Sequence, residues 1–144
     1  MVPALVRSGV TEENVARWLA QPPTSWCAKA GFNEEKLRWT ARVSAEKMNR
    51  LVESLGVGAV KEIRVLARGR SGRANLVTIV GSRGERQIRG EYAIRQRFGG
   101  LRSSMFVVQA IAGPDGAPQA FVFQGGGWGH GVGMCQTGAI GMAK

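Results

Sequence analysis

Between Gln124 and Gln136 the chain reads Gln-Gly-Gly-Gly-Trp-Gly-His-Gly-Val-Gly-Met-Cys-Gln, with glycine at every second position from Gly125 to Gly133. So many entropically costly glycines imply a geometric need, either close approach of a backbone or ligand, or positive φ angles. If the run is extended, alternate side chains leave one face as bare backbone, and Trp128, His130, Val132, Met134 and Gln136 share the other. The run holds the only histidine of the chain and one of its two cysteines. Histidine is suited to acid, base or hydrogen-bond-donor chemistry, and equally to holding a loop by hydrogen bonds. Trp128 fits a flat apolar platform for a sugar ring, and it also fits a core position. A phosphate-binding loop is excluded, because no lysine follows these glycines until Lys144. The dinucleotide fingerprint fails too: counted from Gly127, Gly129 or Gly131, the glycine required at its end is Val132, Met134 or Gln136. His130, Cys135 and Cys27 are ligand types that suit zinc, but a closed tetrahedral site needs a fourth ligand and the sequence offers no CxxC. A Cys27–Cys135 disulfide and a pair of free thiols remain open as alternatives.

The elements that position these residues follow from periodicity. Thr11-Glu12-Glu13 opens a short helix with Val15, Trp18 and Leu19 on one face, ended by Pro22-Pro23. The segment from Thr24 to Thr40 reads as irregular, anchored by Trp26, Cys27, Phe32, Leu37 and Trp39. Ser44 is an N-cap for a helix that turns Met48, Leu51, Val52 and Leu55 to one side and stops at Gly56 and Gly58. The period then changes from helical to two. Strands are expected over residues 62–68, 74–80 and around 87–89, joined by turns at 69–72 and 81–84. A helix over 91–98 stops at Gly99-Gly100. Strands over 105–111 and 119–124 follow, then the glycine run, then a helix over 137–143. This order predicts an α+β fold of antiparallel β-hairpins with short helices packed on them.

With 144 residues, 44% of them hydrophobic, the chain suits one globular domain or a large piece of one. The 20 Lys and Arg residues exceed the 10 acids, giving a net charge of +10. Such an excess suits an acidic partner (nucleic acid, an anionic membrane surface or a cell-wall polymer) or a generic soluble basic surface. Nucleic acid is disfavoured, since no recognition helix stands out and the aromatics do not interleave with basic residues along strands. No apolar run approaches the roughly 18–20 residues of a membrane span, and there is no signal-peptide hydrophobic region.

The stretch Gly127-Trp128-Gly129-His130-Gly131-Val132-Gly133-Met134-Cys135-Gln136, with Thr137-Gly138-Ala139 and Gly141-Met142-Ala143 after it, resembles the C-terminal signature of the stage II sporulation protein D (SpoIID) family, which includes amidase-enhancer proteins. Trp26-Cys27, Arg38-Trp39-Thr40, Ser71-Gly72-Arg73, Ile94-Arg95 and Leu101-Arg102-Ser103-Ser104-Met105-Phe106 sit in the family's order, so the resemblance runs from about residue 10 to the end. It implies an extracytoplasmic protein of the bacterial cell envelope that acts on peptidoglycan. Sporulation members resemble lytic transglycosylases that cut glycan strands stripped of their stem peptides; amidase-enhancer members stimulate the stripping amidase. Peptidoglycan glycan strands, and an amidase, are therefore the implied partners. Arg73, Ser103, His130 and Gln136 become expected polar contacts to glycan, with Trp128 as wall or platform. A stripped strand exposes one lactyl carboxylate per muramic acid, which suits the basic charge independently.

Cleaving a glycosidic bond needs a carboxylic acid to protonate the leaving oxygen. The family places that glutamate in an N-terminal Glu-Tyr-Leu-x-Gly-Val-Val segment that this sequence does not contain. Its acids are Glu12, Glu13, Glu34, Glu35, Glu46, Glu53, Glu62, Glu85, Glu91 and Asp115, none of them beside the glycine run. Glu91-Tyr92 echoes the segment, but Ala93-Ile94-Arg95 does not continue it. The expectation is thus a single SpoIID-like domain fragment over 1–144, with the catalytic segment upstream and the last helix cut at Lys144, inactive by itself.

Overall fold

A computed structural model describes residues 9–22, 24–31 and 37–144. Phe32 and Pro23, expected as an anchor and as part of a helix stop, lie outside these residues, as do Glu34 and Glu35. The elements are helices α1 (Val15–Ala20) and α2 (Trp26–Lys29), strand β1 (Arg38–Ser44), helix α3 (Ala45–Leu51) with a 3-10 turn (Glu53–Leu55), strands β2 (Val60–Arg68), β3 (Ala74–Gly81) and β4 (Gly84–Arg89), helix α4 (Glu91–Arg97), strands β5 (Phe106–Ala112) and β6 (Pro118–Gly126), and helix α5 (Gln136–Ala143). Six antiparallel strands in two sheets with short helices make the fold α+β. The sheet orders are β1-β6-β5 and β2-β3-β4.

Strand β1 departs from the expectation of an irregular segment from Thr24 to Thr40 followed by the Ser44 cap. Trp39, Ala41 and Val43 alternate with exposed Thr40 and Arg42, so period two is present. Its partner is β6, with Trp39 opposite Gly125 and Val43 opposite Phe121, a pairing too distant in sequence for any local signal to reveal. Within the same stretch Trp26 to Lys29 is helical, and Trp26 is half-exposed under the Lys29 ammonium rather than an anchor. The Ser44 cap forms as expected, its hydroxyl accepting from the Lys47 N–H at 3.2 Å.

One continuous core joins both sheets to α3 and α4. Phe106, Phe121 and Phe123 point inward from β5 and β6, and Val77, Ile79 and Ile88 from β3 and β4. Met48, Val52, Ile94 and Phe98 close it from the helices. Phe98, Phe106 and Phe123 form an aromatic cluster with centroids 5.1–6.3 Å apart, two of the three contacts being edge-on. A smaller cluster of Val10, Val15, Leu19 and Met105 seats α1 beside Val107 of β5. The last turn of α1 leaves carbonyls without helical partners, and the Arg38 guanidinium takes those of Leu19 at 2.8 Å and Trp18 at 3.2 Å while stacking on the Trp18 ring. No described helix is long and apolar enough to cross a membrane.

Phe106 is fully buried at the centre of the aromatic cluster, on the strand that leads from the Ser103-Ser104 turn. Phe106→Ala is expected to cost about 3–5 kcal/mol of unfolding free energy, read from urea denaturation of the whole chain.

Candidate functional site

Strand β6 takes up only the first two residues of the glycine run. Gly125 lies under Trp39, where an added Cβ would stand 2.2 Å from the indole ring. This is the close approach that the glycine content implied. Beyond Gly126 the expected extended conformation gives way: Gly127, Gly129, Gly131 and Gly133 have φ of +77°, +78°, +72° and +91°. Glycine is the residue that adopts this region without strain, so the alternation sets a repeating backbone reversal rather than a two-faced ribbon.

Four hydrogen bonds pin the start of this loop. The Trp39 indole N–H donates to the Gly127 carbonyl at 3.1 Å, and the Gly127 N–H donates to the Leu37 carbonyl at 3.1 Å. The Gly129 N–H donates to the Arg102 carbonyl at 2.8 Å, and the Ser103 hydroxyl to the Gly126 carbonyl at 2.7 Å. Ser103 is fully buried and its oxygen also accepts the Met105 N–H at 3.2 Å, so the structure places it beneath the loop, bonded to backbone.

Arg73 reaches the loop from the residue before β3. Its Nε donates to the Gly129 carbonyl at 3.3 Å. Its guanidinium lies over glycine backbone: a Cβ at Gly131 would come within 2.4 Å of Cζ and Nη1, and one at Gly127 within 3.2 Å of Nη2. Burial lowers the pKa of this arginine from its ordinary value, the Glu91 carboxylate opposing that shift and Arg95 adding to it. A guanidinium stays charged in proteins, so burial leaves a partly desolvated cation here. Glu91 is itself paired with Arg95 at 3.2 Å.

The loop from 127 to 137 encloses a cavity of about 700 Å³ together with Arg73, Leu37 and Cys27. Trp128 stands on its rim, 57% exposed, with the Arg102 guanidinium 5.4 Å from its ring centroid. It is therefore exposed rather than part of the core. His130 is exposed, and its Nδ1 accepts the Val132 N–H at 2.9 Å. In the neutral ring the proton then sits on Nε2, which makes that nitrogen the donor. Gln136 begins α5 and lines the cavity. Of the expected contacts, the structure thus brings Arg73, Trp128, His130 and Gln136 to one cavity and puts Ser103 under it. Leu37 and Arg102 join the site without having stood out as site residues: both bond the loop through backbone carbonyls, and Arg102 also sets its guanidinium over Trp128.

Cys27 and Cys135 meet at the cavity edge. Among the described residues, no group of three or more His, Cys, Asp or Glu side chains is placed to hold a metal ion. No described Asp or Glu lines the cavity. The arrangement therefore offers a cation, an imidazole N–H and an aromatic face, which is chemistry for binding an anionic, hydroxyl-rich ligand.

Gly131→Ala and Gly133→Ala share the cost of a left-handed backbone, but only the first drives a methyl group into Arg73. Gly131→Ala is expected to cost about 1 kcal/mol more than Gly133→Ala by urea unfolding, from loss of the Arg73 bond to Gly129. In an Arg73→Ala background that difference disappears.

The chain belongs to the family described as a domain of unknown function (DUF8618), which matches residues 8–133 and so takes in Arg73, Ser103, Trp128 and His130. No curated protein matches the chain.

Proposed function

We propose that this DUF8618 member uses the glycine-loop cavity to bind the stripped glycan strand of bacterial peptidoglycan, as part of a SpoIID-type wall-remodelling protein of the cell envelope. The observation that carries the reading is the Arg73 guanidinium, partly desolvated and seated on the loop backbone beside Trp128 and His130. A lactyl carboxylate pairs with a guanidinium through charge-assisted hydrogen bonds, which strengthen as water is excluded. An exposed indole suits the apolar face of a sugar ring, and the His130 Nε2 N–H suits a sugar hydroxyl. The SpoIID-like order of motifs supports peptidoglycan as the source of the glycan.

In the lytic transglycosylase form of this reading, the acid that protonates the glycosidic oxygen comes from a glutamate outside the cavity lining. The chain's own residues bind and orient the strand. A lining without a carboxylate among its described residues fits equally a second form, a non-catalytic module that recruits or stimulates an N-acetylmuramoyl-L-alanine amidase.

Co-sedimentation with sacculi stripped of their stem peptides tests the binding. Wild-type chain is expected to sediment with them, and less so as salt rises. Arg73→Ala is expected to weaken binding about tenfold or more, the range of a charge-assisted hydrogen bond. Equal binding by wild type, Arg73→Ala and Trp128→Ala would sink the proposal. The chain alone is expected to release no anhydromuramyl products. The amidase form predicts stimulation that survives replacement of each acid in turn and is lost in His130→Ala or Trp128→Ala.

A further inference from the structure

The chain's two cysteines lie 108 residues apart in sequence, yet their sulfurs are 3.5 Å apart. Cys27 sits in the first turn of α2. Cys135 caps α5, its sulfur accepting the Gly138 N–H at 3.3 Å. The close crossing of the two helices sets that distance. A Cβ at Gly141 would stand 1.8 Å from the Trp26 carbonyl oxygen, and one at Gly138 would stand 3.5 Å from both sulfurs. The Lys144 ammonium adds a bond to the Ala30 carbonyl at 2.7 Å, tying the far ends of α2 and α5 together. The two thiols thus face each other across a packed helix pair, where a disulfide requires the sulfurs to close by only about 1.5 Å. Both are free, and both line the cavity described above.

We propose that Cys27 and Cys135 are a modification site, a dithiol that closes reversibly to a disulfide and staples α2 to the beginning of α5. The inference does not depend on what the cavity binds. The oxidant is a disulfide, small or protein-borne, written RSSR. Cys135 is the more exposed thiol, so its sulfur meets the oxidant first and attacks as the thiolate. Its sulfur bonds to one RS group, the RS–SR bond breaks, and the departing thiolate takes up a proton. Cys27 then gives up its proton and attacks the Cys135 sulfur, expelling the second RS group, which is protonated in turn. In sum, two protein thiols and RSSR become one protein disulfide and two RSH. Burial, and then the contact with Cys135, raise the pKa of Cys27, so the closing step quickens as pH rises toward the Cys27 pKa. Closure fixes the Cys27–Cys135 edge of the cavity, whose lining Arg73 shares.

The whole reduced chain treated with oxidised glutathione provides the test. Free thiols titrated with a chromogenic disulfide are expected to fall from two per chain to none. The intact mass should drop by two hydrogens with no glutathione retained, and the melting temperature should rise by several degrees. The glutathione adduct on Cys135 should close about tenfold faster in the folded chain than in urea, since folding raises the effective concentration of Cys27. Cys27→Ser should instead keep one glutathione on Cys135. Retention of glutathione by the wild-type chain, cross-links between chains, or closure no faster when folded would each overturn the assignment. Glycan binding by the reduced chain is measured separately, so loss of one result leaves the other standing.

Discussion

The indole of Trp39 resting on Gly125 is the contact from which the rest of the site follows. It needs a residue without a side chain at position 125, and the antiparallel register of β1 and β6 puts Gly125 directly opposite. With the ring lodged there, its N–H reaches past the end of the sheet to the Gly127 carbonyl. The direction in which the chain leaves β6 is thereby set. Ser103 from beneath and Leu37 and Arg102 from the sides then secure the next backbone groups. Left unpaired and buried, each such group would cost about 1–3 kcal/mol, so the anchors act together in holding one loop path.

The arginines show a related economy. Arg38, Arg73, Arg95 and Arg97 each donate to a backbone carbonyl, of Leu19, Gly129, Leu101 and Leu51 respectively. Arg68, its side chain almost wholly buried, donates to the Gly72 carbonyl and pairs with Glu12. The guanidinium suits this use because it presents several donors in a rigid plane and is weakly hydrated compared with an ammonium. The excess of basic residues is therefore in part architectural, and the formal charge overstates how much of it is free to meet a ligand. Near the cavity the cations that count are Arg73, seated on the loop, and Arg102, stacked on Trp128.

The hairpins of the second sheet, the Ser44-capped helix and the strands flanking 112–118 were legible because their signals are local. Alternation over a few residues, a capping hydroxyl and turn residues at the ends suffice. Strand β1 was not, since its Trp39-Ala41-Val43 alternation is short, carries Thr40 and Arg42 between, and gains meaning only against β6. The glycine run announced a geometric need without saying which. Two needs are met in succession: room for an indole at Gly125, then left-handed backbone from Gly127 onward. That Arg73 fills the bare backbone at Gly131 follows from tertiary folding alone, because the two lie 58 residues apart and share no sequence period.

Alternating left-handed glycines separate what must stay from what is free to vary. At 127, 129, 131 and 133 any other residue strains the backbone, so those positions have no neutral neighbours in sequence space. Trp128, His130 and Val132 between them, and Met134 after the last, stand exposed on that frame. His130 also ties the loop by accepting the Val132 N–H, so Val132 and Met134 are the two that can be exchanged most freely. The frame thus behaves as a fixed rack with interchangeable readers, and ligand preference can drift by single substitutions while the fold that presents them stays still.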